Sequence, residues 1–180
     1  MEKFDVFCNV LLEESKRFLE KAKEEKKQIN INAYLHASLL LSISSLEAFV
    51  NGISDDFKGA PSLNVYEKSF IVEKDIVLSN GEFKLGNRLK MSRLIERIEF
   101  LFRKFNYSKL DKKLKWWQHL NEGISLRNSL VHPKEYSEIK VPQIESTLKA
   151  VIECIDRLFI AVYKRGFPNI KMGLDSKLTF

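Results

Sequence analysis

Residues 31–57, "INAYLHASLLLSISSLEAFVNGISDDF", restrict the fold more than any other stretch of this chain. Apolar residues cover most of the circumference of the helix they predict, and Ala37, Ser38, Ser42, Ser44, Ser45 and Ala48 are all small. A helix that is apolar nearly all round needs neighbours on several sides, and small residues let those neighbours come close. Such a segment belongs at the centre of a helical bundle. Glu47 is the conspicuous ionisable group within it, and a carboxylate in that setting requires a cationic or hydrogen-bonding partner.

The flanking patterns supply the neighbours. Phe4, Phe7, Leu11, Leu12, Ser15, Phe18, Leu19 and Ala22 recur at helical spacing over residues 2–27. A third helix is expected from Arg88 to Phe105, carrying Met91, Leu94, Ile95, Ile98, Leu101 and Phe102. A fourth spans about 109–131, with Leu110, Trp117, Ile124 and Val131 as its seam, and "NYSK" separates the two. A fifth begins near Pro142, a residue suited to a first turn, and ends at "RGFPN". Seven glycines and four prolines are too few for the many turns of an all-β protein. The expected fold is all-α: an antiparallel bundle of about five helices, one domain over residues 1–164, with a tail over 165–180. Residues 58–87 are expected to form an irregular insertion between the second and third helices. Within it "LNVYEKSFIVEKDIVL" fits a short helix, and "IVLSNGEFKL" fits two strands about an Asn-Gly turn.

The chain starts without a secretory pattern, and no apolar run is expected to approach the roughly 18–20 residues that cross a bilayer. Cys8 and Cys154 are far apart and lie on apolar helical faces, as buried free thiols of a reducing cytosol would. A cytoplasmic protein with no membrane partner, no metal site and no cofactor is the expectation. Of the net charge of +6, the excess lies in residues 84–115, where eleven Lys/Arg, Lys109 among them, meet three acids. An anionic partner such as nucleic acid would favour that segment, and so would a merely solvated lysine-rich face.

Chemistry concentrates at "SLRNSLVHPKE", residues 125–135. On the fourth helix, Leu114, Asn121 and Asn128 lie on one side of the seam, and Lys113, Leu120 and Arg127 lie on the other. His132 follows Asn128 by four residues and precedes Pro133, so the helix should stop near Val131 and aim His132 outward at its negative end. A free imidazole, titrating at roughly pH 6.5, both takes and gives protons near neutrality. Arg127 is a permanent cation with a planar fork of donors suited to phosphate. Asn128 can orient the imidazole or donate to a phosphate oxygen. Together these residues could cut RNA without a metal. They could equally be structural: Arg127 paired with Glu47, Asn128 capping and His132 an ordinary helix end.

"RNSLVH" resembles the R-x4–6-H signature of the HEPN superfamily, in which the position after arginine is commonly Asn, Asp or His. "ASLLLSISSLEAFVNGI" is similar to the long second helix of many bacterial members, and "YEKSFIVEKDIVLSNGEFKLGN" to a connecting segment of several stand-alone ones. The resemblance implies a homodimer whose two motifs meet in one composite cleft, and a metal-independent endoribonuclease of toxin or phage-defence type. It implies that Arg127 contacts the scissile phosphate and that His132 acts in proton transfer, with Asn128 as polar helper. RNA is the implied substrate, with an antitoxin or regulatory protein as a further partner. Glu47 holding Arg127 is our own extension. Other HEPN-like bundles are catalytically silent and bind a protein or nucleotide partner. His36, His119 and the Trp116–Trp117 pair are read as core or partly exposed residues.

Overall fold

The structure is a computed structural model that describes residues 2–106, 110–136 and 138–180, with side chains from residue 6 onward. Phe4's side chain, most of "NYSK" and Lys109 lie outside the described residues. The chain forms an all-α bundle. Its helices are α1 (Glu2–Glu24), α2 (Gln28–Phe57), α3 (Val65–Val72), α4 (Leu94–Asn106), α5 (Lys115–Val131) and α6 (Val141–Tyr163). The five expected helices are α1, α2, α4, α5 and α6, and the sixth belongs to the insertion.

α2 lies at the centre as its composition demands, and it shares that place with α6. Both pack against α1, α4 and α5, and against each other. The small residues of α2 have a specific use. Ser38 Oγ donates to Ser15 O at 2.8 Å, Ser15 Oγ returns a bond to Ser38 O at 2.8 Å, and Ser45 Oγ donates to Cys8 O at 2.9 Å. Each hydroxyl satisfies itself on the backbone of the opposite helix, which is possible only because α1 and α2 approach closely. The buried track of α1 is Cys8, Leu12, Ser15, Leu19 and Ala22, while Phe7 is exposed, on the rim of the expected stripe. α2 is also long and apolar enough, by length and composition, to cross a membrane. This corrects the expectation that no apolar run reaches that length: serines interrupt the apolar residues of α2 without making it polar overall. More than half of its most apolar stretch is buried against the other helices.

The segment expected to be irregular is regular. Asn64 accepts from the N–H groups of Tyr66 and Glu67 while Glu67 accepts from the Asn64 N–H, a reciprocal cap that starts α3. Strands β1 (Lys74–Ser79) and β2 (Glu82–Leu89) then pair antiparallel, with Ser79 opposite Glu82. Asn80 and Gly81 both take positive φ, 53° and 79°, as a two-residue hairpin turn requires. Because β2 runs to Leu89, α4 begins only at Leu94, and Met91 is exposed rather than part of a helical stripe.

The tail packs along α1. Phe167 is buried, Ser176 Oγ donates to Glu13 O at 2.9 Å, and the Lys177 N–H donates to Glu13 Oε2 at 2.6 Å. Glu13 also pairs with Lys16 at 2.9 Å, so the fully buried ammonium of Lys16 is not left alone under the tail.

Candidate active site

Asp111 Oδ1 accepts the Lys113 N–H at 2.9 Å, a local turn that delays α5 to Lys115, later than the sequence pattern indicates. The helix buries Trp116, Trp117, Leu120 and Gly123. The track Trp116–Leu120–Gly123–Arg127–Leu130 therefore faces the bundle, and the expected seam is rotated toward it. Val131, placed on that seam, is 46% exposed. Gly123 explains the close fit to α6: a Cβ there would lie 2.6 Å from Thr147 Oγ1 and closer still to its methyl group.

This rotation draws Arg127 inward. Its Nη2 donates to Glu47 Oε1 of α2 at 2.6 Å, with side-chain exposures of 23% for Arg127 and 41% for Glu47. Its Nε is buried without a partner. Nη1 is neither bonded among the described residues nor fully buried. The guanidinium is thus held from one side, with a donor to spare.

α5 ends where Pro133 forces it to. His132 leaves the helical region at φ −125° and ψ 65°, and its N–H donates to Asn128 O at 2.9 Å. His132 and Asn128 are both exposed, one helical turn apart, at the carbonyl end of α5. An exposed imidazole, an exposed carboxamide and an anchored guanidinium therefore lie within six positions, from the last turn of α5 to the residue that caps it. None of the three lines the cavities on either side. A groove of about 490 Å³ between α5 and α6 is lined by His119, Glu122, Gly123 and Thr147, among others. A smaller one of about 240 Å³ is lined by His36, Leu130, Pro133 and Tyr136. His132 and Asn128 are open to solvent, and Arg127 is partly buried behind them.

The remaining sequence-level residues fall elsewhere. Trp116 and Trp117 are both buried, edge to face at 5.5 Å, and Arg157 lies 5.2 Å over the Trp116 ring. Neither indole is free to stack on a base. His36 and His119 are half-buried in the two cavities. The basic segment is partly spent internally, through Lys104 with Glu67 at 2.8 Å and Lys112 with Glu99 at 2.7 Å. Among the described residues no group of three or more His, Cys, Asp or Glu converges. Cys8 and Cys154 are both buried, and burial pushes the Cys154 thiol well up, which keeps it unreactive.

Arg97 escaped the sequence reading. It is 4% exposed and bonds Glu73 Oε2 at 3.1 Å, Ser54 Oγ at 3.1 Å and Ile71 O at 2.9 Å. Burial pushes its guanidinium down, opposed by the carboxylates of Glu73 and, to a lesser degree, Glu47. The available signal was its position: Leu94, Arg97 and Leu101 form one helical track, so an arginine there points inward.

No family model matches the chain, and no solved structure matches it. A cysteine–tRNA ligase of Campylobacter lari is 22% identical over 133 residues, which cover 69% of this chain and 28% of the ligase. The chain spans little more than a quarter of that relative's length.

Proposed function

We propose that this protein is a metal-independent endoribonuclease of the HEPN type, with the C-terminal ends of α5 from two copies forming one cleft. The observation that carries the reading is the placement of His132 and Asn128, exposed one turn apart beside an Arg127 that Glu47 fixes. His132 removes the ribose 2′-OH proton, and the alkoxide attacks the adjacent phosphorus. The O2′–P bond forms, the P–O5′ bond breaks, and O5′ takes a proton from the second His132 or from water. Arg127 stabilises the charge on the phosphorane through the donor that Glu47 leaves unused, and Asn128 positions the imidazole or the phosphate.

The exposure of His132 and Asn128 on one chain accords with a site completed by a second copy. Val131 and, on α2, Leu40 are exposed apolar residues that such a contact would cover. The ligase similar to part of this chain acts on a tRNA by its name.

A second reading draws support from the same ion pair. With Arg127 engaged by Glu47, the face could be a binding module without chemistry. Incubating labelled RNA in EDTA and analysing the product ends separates the two. The nuclease yields 2′,3′-cyclic phosphate and 5′-hydroxyl ends. A folded, dimeric protein that leaves RNA intact is the binding module.

A further inference from the structure

The insertion is held firmly at its base and left open at its tip. At the base, Glu73 accepts from the Arg97 guanidinium and from the Ser92 N–H at 2.8 Å, and its carbonyl accepts the Lys90 N–H at 2.9 Å. Lys104 of α4 reaches Glu67 of α3 at 2.8 Å. Beyond these anchors, every residue from Val77 to Lys84 is exposed. Leu78 lies opposite Phe83, so both project from one face of the hairpin, and Tyr66 of α3 meets that face. Their exposures are 66%, 57% and 60%, and the Tyr66 and Phe83 rings sit 6.1 Å apart at 50°.

Two open aromatic rings and a leucine, shared between α3 and the hairpin, are costly to leave in water unless something covers them. The surrounding charge indicates what. Residues 74–93 carry five cations against two acids. Both acids are engaged: Asp75 accepts the Arg88 N–H at 3.0 Å, and Glu82 lies 3.3 Å from Lys84. Arg88 and Lys90 are exposed and have no carboxylate partner among the described residues. Protein-docking strips are depleted of charge at their centres. Exposed rings flanked by cations are the arrangement on which unpaired bases stack while their phosphates are neutralised. Lys84 points to the opposite face, but the ribbon is two strands wide and a lysine stem can reach round its edge.

We propose that α3 and the β1–β2 hairpin form a binding arm for single-stranded RNA, with Tyr66 and Phe83 as stacking platforms and Lys84, Arg88 and Lys90 as phosphate contacts. As a device for presenting substrate it rests on RNA being what the α5 site acts on. Its test reads binding and not cleavage. Stacking tolerates any base, so the arm contributes affinity with little sequence preference.

The experiment measures fluorescence anisotropy of a labelled single-stranded oligouridine, with full-length protein carrying His132→Ala so that the probe stays intact. In that background Tyr66→Ala and Phe83→Ala each weaken binding roughly tenfold. Phe83→Leu, which keeps apolar packing and loses the ring, weakens it too and excludes a merely unfolded hairpin. Lys84→Ala, Arg88→Ala and Lys90→Ala combined lower the slope of log affinity against log salt by about 2. Unchanged affinity and slope in all of these variants, or no RNA binding by the parent, overturns the proposal. So does loss of self-association in the aromatic variants with RNA affinity intact, which would make the strip a protein contact. An arm that binds RNA in a protein that cuts none ends the nuclease reading alone. Cleavage by a protein whose affinity ignores the arm ends the arm alone.

Discussion

Arg97 and Arg127 show how one residue type serves two purposes in one small bundle. Arg97 is buried at the meeting point of α2, α3 and α4, and it bonds a carboxylate, a hydroxyl and a carbonyl. Arg127 sits at the end of α5, keeps about a quarter of its side-chain surface and, among the described residues, bonds Glu47 alone. A buried guanidinium bonded through Nη1 and Nη2 to three groups joins elements together, and burial closes it to a ligand even though its Nε has no partner. One held by a single carboxylate beside exposed His132 and Asn128 is fixed in place and still has donors available. Partner number and exposure, more than charge, separate the structural cation from the chemical one.

The comparison can be broken first at Arg97. Arg97→Ala leaves Glu73 without its cation and should cost about 3–5 kcal/mol in urea unfolding. A loss below about 1 kcal/mol would mean the junction does not depend on it. Next is Gly123, which sets how closely α5 approaches α6. Gly123→Ala drives a methyl group into Thr147 and should cost about 1–3 kcal/mol. Adding Thr147→Ala should recover most of that loss, and simple additivity would contradict the contact. Arg127→Ala should change stability by no more than about 1 kcal/mol, because a partly exposed pair contributes little. Its RNA cleavage should nonetheless fall about a hundredfold or more. Stability lost in step with activity would make Arg127 a second Arg97.

The smallest effect is expected at Glu25, ahead of α2. The N–H groups of Lys27 and Lys26 and the Asn30 side chain hold its carboxyl down at about 2. The folded value lies below the unfolded one, near 4.3. Its stabilising effect is therefore complete above about pH 4.3 and disappears as pH falls through about 2. Glu25→Gln should flatten that part of the acid limb in thermal melts, and parallel curves would contradict it.

The bundle was legible because its signals are periodic. α2 declared itself by being apolar all round, and α5 by stopping before Pro133. The insertion was harder: Asn64 and Glu67 three residues apart, then Asn80-Gly81, announce a capped helix and a hairpin, but a short apolar run fits either element. The rotation of α5 was not legible, since a heptad count through Leu110 assumed a helix that had not yet begun. That error displaced Arg127 from the buried track to its edge. The three motif residues were found through side-chain chemistry and resemblance. The pairing with Glu47, 80 residues away, became definite only once α2 and α5 were packed together.

The account depends on the end of α5 being a chemical site. The most direct test measures the single-turnover RNA cleavage rate in EDTA together with thermal unfolding, for wild type and His132→Ala. The exposed imidazole should leave the unfolding temperature unchanged on removal, while the rate falls about 10²–10⁴-fold. Equal rates in the two proteins would contradict the account and place any cleavage elsewhere.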